Sequence, residues 1–314
     1  MHLPVTYRIA PTPTIALQLK PDHPVIWCKL EFLNPSGSTK DRIARFILEK
    51  AWREGRLTRD HLVVEASSGS TSIAMALACA QLGVRFLAVM PEGVSNERTL
   101  MIRAFGGDIK LTAKDGGVLG SIHETERVAA ETLAFLPRQF ANEDNALAHR
   151  MGTAREMVDQ IPCGIVDAIV SGVGTGGTLV GLHDGLRDCG CAVIPVMARP
   201  VALSSDLECC SFSGRIPGVV DRISKIFRED RLPGLETVEV QDEEALETSR
   251  ELLRRGLPVG PSSGLNYRAA LEIARRLDPS AIVATVFPDR MERYFTTDLF
   301  RPFLEPHLSS EPRP

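Results

Sequence analysis

The stretch HLVVEASSGSTSIAMALACAQLGVRFLAVM, residues 61–90, decides the fold. It opens with a β-branched run, HLVVEA (61–66), passes through a turn of serine and glycine, continues as a helical run through Cys79, and ends in a second apolar run, RFLAVM (85–90). A strand, a helix and a strand in this order form a βαβ unit, because parallel strands need a crossover between them. The same alternation extends outward. NERTLMIRAFG (96–106) reads as a helix, DIKLT (108–112) as a strand and IHETERVAAETLAF (122–135) as a long amphipathic helix. A second series starts at DAIVSGV (167–173), runs through TLVGLHDGLRD (178–188) and AVIPVMA (192–198), and closes with a helix before AIVATVFPD (281–289). Two series predict an α/β chain with two sheets or two lobes, divided near the polar, turn-rich FANEDNALAH (140–149). In open α/β sheets, ligands sit beyond the carboxyl ends of the strands.

Composition narrows the function classes. The chain has 314 residues, against about 100 to 200 for a usual domain. Its 44% hydrophobic and 24% charged residues are ordinary for globular chains, which argues against disorder, collagen and coiled coil. A net charge of −4 supplies no positive field for a polyanion, so no nucleic acid is expected as a partner. Seven cysteines include Cys189 and Cys191 as C-x-C and the neighbours Cys209 and Cys210, but no histidine cluster completes a zinc site. No metal and reduced, structural thiols are expected. No apolar stretch approaches the ~20 residues of a membrane span, and the first residues lack a secretory pattern. These features predict a cytoplasmic protein with no membrane partner. FLEPHLSSEPRP (303–314), rich in Pro and Ser, reads as a frayed tail.

Three small-residue segments stand where strands end or helices begin: SSGSTS (67–72), GVGTGGT (172–178) and GPSSGL (260–265). Each can offer backbone N–H groups to an anion. The middle one spells G-x-G-x-x-G at Gly172, Gly174 and Gly177, the turn of a dinucleotide site. That fingerprint wants an acid at the end of the next strand. AVIPVMA ends instead in Arg199, which leaves an NADP site, with Arg on the 2′-phosphate, open at this point. No P-loop motif occurs. A fourth segment, NPSGSTKDR (34–42), puts Lys40 before a helical run, against the helix dipole. Lys40 reads either as a solvated loop lysine or as an amine of lowered pKa able to form an imine with a carbonyl.

Together NPSGSTKDR (34–42), EASSGSTS (65–72), MPEGVSNER (90–98), GTGGT (174–178), SSG (262–264) and PDRMERY (288–294) occur in an order and spacing that resembles the cysteine synthase and cystathionine β-synthase family, from about residue 12 to residue 300. The resemblance implies a pyridoxal 5′-phosphate enzyme of fold type II: two open, mostly parallel twisted sheets with helices on both faces and the cofactor between two lobes. It implies a smaller mobile lobe of residues 32–148 and a larger lobe of residues 1–31 plus 149–314. Lys40 matches the Schiff-base lysine and proton carrier. Gly174, Thr175, Gly176, Gly177 and Thr178 match the loop that holds the cofactor phosphate, and Ser262 the neutral group facing the pyridine nitrogen. Ser67, Ser68, Gly69 and Thr71 match the loop that closes on the substrate α-carboxylate, with Gln139 assisting. Ser70 replaces the family's Asn, which contacts the cofactor's ring hydroxyl.

Two further departures concern arginines. Arg199 stands where the family carries glutamate. SGRIPGV (213–219), which resembles a segment at the active-site mouth, carries Arg215, with Arg222 close behind. These are solvated surface charges or recognise a phosphate leaving group or a carboxylate-bearing nucleophile. His149, Asn142, Asp289, Glu292 and Arg293 read as bracing residues, and Cys79 as core. The implied reaction is β-replacement on O-acetylserine or O-phosphoserine through an aminoacrylate, with sulfide giving L-cysteine. An amine or a thiol as nucleophile, or serine/threonine dehydration, stays open. The resemblance also implies a homodimer that takes small amino-acid substrates.

Overall fold

The computed structural model describes residues 9–202, 215–219 and 223–304. Cys209, Cys210, Arg222 and all but the first two residues of the tail lie outside them. The chain opens with β1 (Thr14–Leu17) and β2 (Ile26–Lys29), followed by α1 (Lys40–Arg53). The deciding stretch then forms β3 (Leu62–Ala66), α2 (Ser70–Leu82) and β4 (Arg85–Pro91). Next come α3 (Asn96–Ala104), β5 (Asp108–Thr112), α4 (Gly117–Glu131), β6 (Ala134–Phe135), α5 (Asp144–Ala148) and α6 (Ala154–Gln160). The second series supplies β7 (Ala168–Gly172), α7 (Gly177–Asp188), β8 (Ile194–Val201), β9 (Glu236–Gln241), α8 (Asp242–Arg254), α9 (Pro261–Arg276) and β10 (Val283–Val286).

The expected pair of sheets is present. One runs β5-β4-β3-β6, parallel throughout. The other runs β1-β2-β10-β7-β8-β9 and is parallel except where β1 meets β2. Successive side chains of a strand point to opposite faces, so a strand covered by helices on both sides feeds two cores. In β7, Ala168 and Val170 enter one apolar cluster while Ile169 enters another. In β3, Val63 and Val64 divide in the same way.

Sequence periodicity placed most of these elements but missed the helix α8 and the strands β1, β2, β6 and β9. These strands are two to six residues long, and β9 is half exposed. The turn-rich stretch 140–149 is partly helical: α5 continues through one π-helical turn, His149–Thr153, into α6. Among the described residues, no helix is long and apolar enough to cross a membrane.

Candidate active site

The loop before α1 is fixed by Asp41, which accepts hydrogen bonds from Ser36 N (3.0 Å) and Ser36 Oγ (2.7 Å). Across the molecule, Arg293 donates to the carbonyls of Ser36 and Gly37, and Thr39 N donates to Pro288 O at 2.8 Å. Lys40 is thereby held at the first position of α1, lining a pocket between the ends of the two sheets. Burial lowers its pKa from the ordinary lysine value, against the opposing charges of Asp289 and Glu31. This favours the unprotonated amine that a base or nucleophile needs.

Opposite Lys40 stands the turn between β3 and α2. Gly69 has φ +148°, and a Cβ there would sit 2.3 Å from Arg98 Cδ, so only glycine lets the chain enter α2 this way. Ser67 Oγ accepts from Gly69 N (2.9 Å) and Ser72 N (3.3 Å), shaping the loop from within. The N–H groups of Ser70 and Thr71 open the helix and have no partner inside it, an arrangement suited to an anion. Thr71 Oγ1 donates to Gln139 Oε1 at 2.6 Å, and Gln139 Nε2 donates to Ala66 O at 2.6 Å. An amide nitrogen has two hydrogens, so Gln139 keeps a second one for the pocket it lines.

The third wall is the turn from β7 into α7. Gly176 is left-handed at φ +77°. Thr175 O accepts from Ser224 Oγ at 2.6 Å, and Thr175 Oγ1 accepts from Asn145 Nδ2 at 3.0 Å. Thr178 Oγ1 meets His149 Nε2 at 3.3 Å, while His149 Nδ1 meets Thr153 Oγ1 at 2.9 Å. Burial drives the His149 pKa down to about 3, so the ring stays neutral beside the loop. Ser262, in the first turn of α9, faces the same pocket.

Of the sequence-predicted residues, Lys40, Ser67, Ser68, Ser70, Thr71, Gln139, Gly174, Thr175, Gly176, Thr178 and Ser262 all line this one pocket. Gly69 and Gly177 lie in its loops without lining it. A Cβ on Gly177 would fall 1.9 Å from Asn145 Oδ1. The structure does not bring Arg215 into the pocket. Its guanidinium is engaged by Asp298 (2.8 Å) and Glu243 (2.9 Å), although its neighbours Pro217, Gly218 and Val219 reach the wall. Arg199 lies opposite Glu239 on β9 and meets its carboxylate at 3.5 Å. Asn142 braces a turn, donating to Pro137 O and accepting from Asp144 N.

Sequence reasoning missed the role of Arg98, and it read Asp289 as a bracing residue, which its hydrogen bonds bear out. Arg98 is buried, donates to Ser68 O at 3.3 Å and lies 5.2 Å above the Tyr294 ring. Asp289 Oδ2 accepts from Tyr294 OH (2.6 Å) and Ser70 Oγ (3.2 Å), while its Oδ1 is buried without a partner among the described residues. Their motifs were legible, but the contacts of Arg98 with Tyr294 and of Asp289 with Ser70 join segments far apart in sequence, which local patterns do not report.

The residues fit pyridoxal phosphate. A helix N-terminus with a left-handed glycine suits its phosphate, a desolvated amine its aldehyde, and the neutral Ser262 hydroxyl its ring nitrogen. Two pocket-lining residues each hold a buried polar atom, Thr39 Oγ1 and Asp289 Oδ1, without a hydrogen-bond partner among the described residues. Among the described residues, no cluster of His, Cys, Asp or Glu is placed to hold a metal. A family model described as "Pyridoxal-phosphate dependent enzyme" matches residues 5–289. Cysteine synthase B of Campylobacter jejuni is 37% identical over 96% of this chain and 99% of its own length. An O-acetylserine dependent cystathionine β-synthase from Helicobacter pylori superposes with a TM-score of 0.84 at 31% identity, covering 93% of this chain and 96% of that one. A hydrogen sulfide-producing enzyme from Fusobacterium nucleatum does so with a TM-score of 0.84 at 34% identity, covering 93% and 90%. The family match displaces the dinucleotide reading of residues 172–177. The chain belongs to the pyridoxal-phosphate dependent enzyme family, with pyridoxal 5′-phosphate as its cofactor and cysteine synthase among its relatives.

Proposed function

We propose that the enzyme replaces the β-substituent of an O-activated L-serine, O-acetylserine or O-phosphoserine, using sulfide to make L-cysteine. One observation carries this reading: Lys40 shares a pocket with two helix N-termini, the serine turn of α2 and the glycine turn of α7. Two anions, a substrate carboxylate and a cofactor phosphate, are thus accommodated on either side of one amine.

When bound, the cofactor supplies an electron sink for the pair released at the substrate's Cα. Gly174, Thr175, Gly176, Gly177 and Thr178 hold its phosphate. The Ser67–Thr71 loop and Gln139 take the α-carboxylate, which fixes the orientation of the Cα–H bond. Lys40 Nζ removes that proton as the β-group departs and returns it after the nucleophile adds to Cβ. Ser262 hydrogen-bonds the ring nitrogen without protonating it, which suits elimination and replacement better than transamination. The loop belongs to a lobe of residues 32–148 that closes over the substrate and excludes water.

A thiol or amine of an amino acid is the second reading for the nucleophile, favoured by the Asp289 carboxylate on the pocket wall. That carboxylate can accept hydrogen bonds from an ammonium group. The test is a matrix of the two activated serines against sulfide, thiols and amino acids, with products identified by mass. Cysteine as the main product supports the first reading, a thioether or diaminopropionate-type product the second. A keto acid alone, formed equally without any nucleophile, overturns both.

A further inference from the structure

We propose that Glu65 is a positioning residue. Its carboxylate accepts one backbone N–H from each of the two segments that carry the substrate-carboxylate donors, and so holds Gln139 and the Ser67–Thr71 loop in a single register. Oε1 accepts from Ala66 N at 3.0 Å, at the entry to the loop, and Oε2 accepts from Gln139 N at 3.2 Å. The side chain is 3% exposed and forms no ion pair with any described residue. A buried carboxylate without a salt-bridged cation is costly, so its presence calls for a specific reason. A carboxylate offers acceptors on both oxygens, whereas the amide of Gln would turn an N–H toward one of the two donors.

What the carboxylate holds is a turn under strain. Arg138, immediately before Gln139, is the one non-glycine residue with positive φ among those described, at +55°. A side chain rarely adopts that conformation unless its surroundings enforce it. Ala141 N and Asn142 N anchor the far side of the turn on Arg138 O, both at 2.9 Å. Glu65 anchors the near side. Burial pushes its pKa up to about 8, against the N–H groups of Gln139 and Ala66 and the charge of Arg138. The ionised form accepts these bonds more strongly, so the grip tightens as pH rises through that value. The other titratable groups around the hollow beside Glu65 are His123 and Glu126 of α4 and Lys225.

This inference rests on the reading of Gln139 as a carboxylate donor. The test measures binding of L-alanine, a non-reacting amino acid, to the holoenzyme by calorimetry between pH 6 and 9, together with KM and kcat for the activated serine. The variants are Glu65→Gln, Glu65→Asp, Gln139→Ala and the double variant Glu65→Gln/Gln139→Ala. Losing a charged acceptor is expected to weaken L-alanine about tenfold, raise KM alike and leave kcat within about twofold. Glu65→Gln should abolish the strengthening of binding near pH 8, and should cost less in the Gln139→Ala background than in the wild type, because only the hold on the Ser67–Thr71 loop is then left to lose. Should Glu65→Gln fail to fold, Glu65→Asp, which keeps the charge on a shorter stem, is expected to weaken binding while keeping the pH dependence. Unchanged affinity and pH profile in the foldable Glu65 variant, with Gln139→Ala weakened, overturns the role of Glu65 alone. Unchanged affinity in Gln139→Ala overturns the reading on which it rests.

Discussion

Lys40 concentrates the chemistry proposed above, and removing its amine tests that chemistry directly. Lys40→Ala is expected to lose at least about a thousandfold in turnover, because tether and base go together. Borohydride treatment of the wild type should place the cofactor label at residue 40. Asp289 tests the choice of nucleophile. Asp289→Asn keeps the shape that meets Ser70 and Tyr294 but loses the charge. KM for an amino-acid nucleophile should rise several-fold while that for sulfide stays unchanged, and equal effects on both would remove Asp289 from nucleophile recognition. Gly177 tests the phosphate loop by sterics alone. A methyl there meets Asn145 Oδ1 at 1.9 Å, so Gly177→Ala must displace the side chain that braces Thr175. Cofactor affinity, measured by equilibrium dialysis, is expected to fall about tenfold, the equivalent of ~1.4 kcal/mol.

The start of α1 is secured by a buried ion network as well as by the loop before it. Arg42 donates to both oxygens of Glu31 (2.6 and 2.7 Å) and to both of Glu156 (2.7 Å each), and Lys29 meets Glu156 at 2.9 Å. The helix that begins with Lys40 is thereby joined to the end of β2 and to α6. Burial alone would push the Glu31 carboxyl up, but the Arg42 charge and hydrogen bonds hold it down at about 2. Arg42→Met strands two carboxylates, one of them fully buried, and should cost about 3–5 kcal/mol of unfolding free energy in urea titration. None of this was legible in the sequence, where Arg42 was only the end of a motif. Most of the long helices were legible, because amphipathic periods of ten or more residues repeat the same signal, although α8 went unread. Short strands such as β6, two residues long, carry too little pattern to register.

For the molecule as a whole, three buried groups with large shifts contribute to the pH dependence of stability. Glu65 titrates near 8 in the folded state against about 4.5 unfolded, so folding binds its proton and stability falls as pH rises from 4.5 to 8. His149 titrates near 3 against 6.5, so folding excludes its proton and stability falls as pH drops from 6.5 to 3. Glu31, at about 2 against 4.5, adds stability above pH 4.5 that is lost on the way down to 2. Between pH 4.5 and 6.5 the first two effects oppose each other. The melting temperature should therefore be flat there, decline toward pH 8 and drop steeply below pH 4.5. Glu65→Gln is expected to remove the decline between pH 6.5 and 8, and a decline that persists would mean Glu65 is not its source.

The alternation of strands and helices, the glycine and serine turns and the lysine before α1 could all be read from the chain, because periodicity and turn chemistry are local. Six short motifs in order were enough to name a cofactor. Which charges reach the pocket was not local information. Arg215, the arginine singled out from sequence, is engaged by Asp298 and Glu243, while Arg98 and Asp289 meet the serine loop across the fold. Glu65 acquires its partner Gln139 only when β3 and the turn after β6 come together. Burial and partners set the ionisation of a side chain, and both exist only once distant segments have packed.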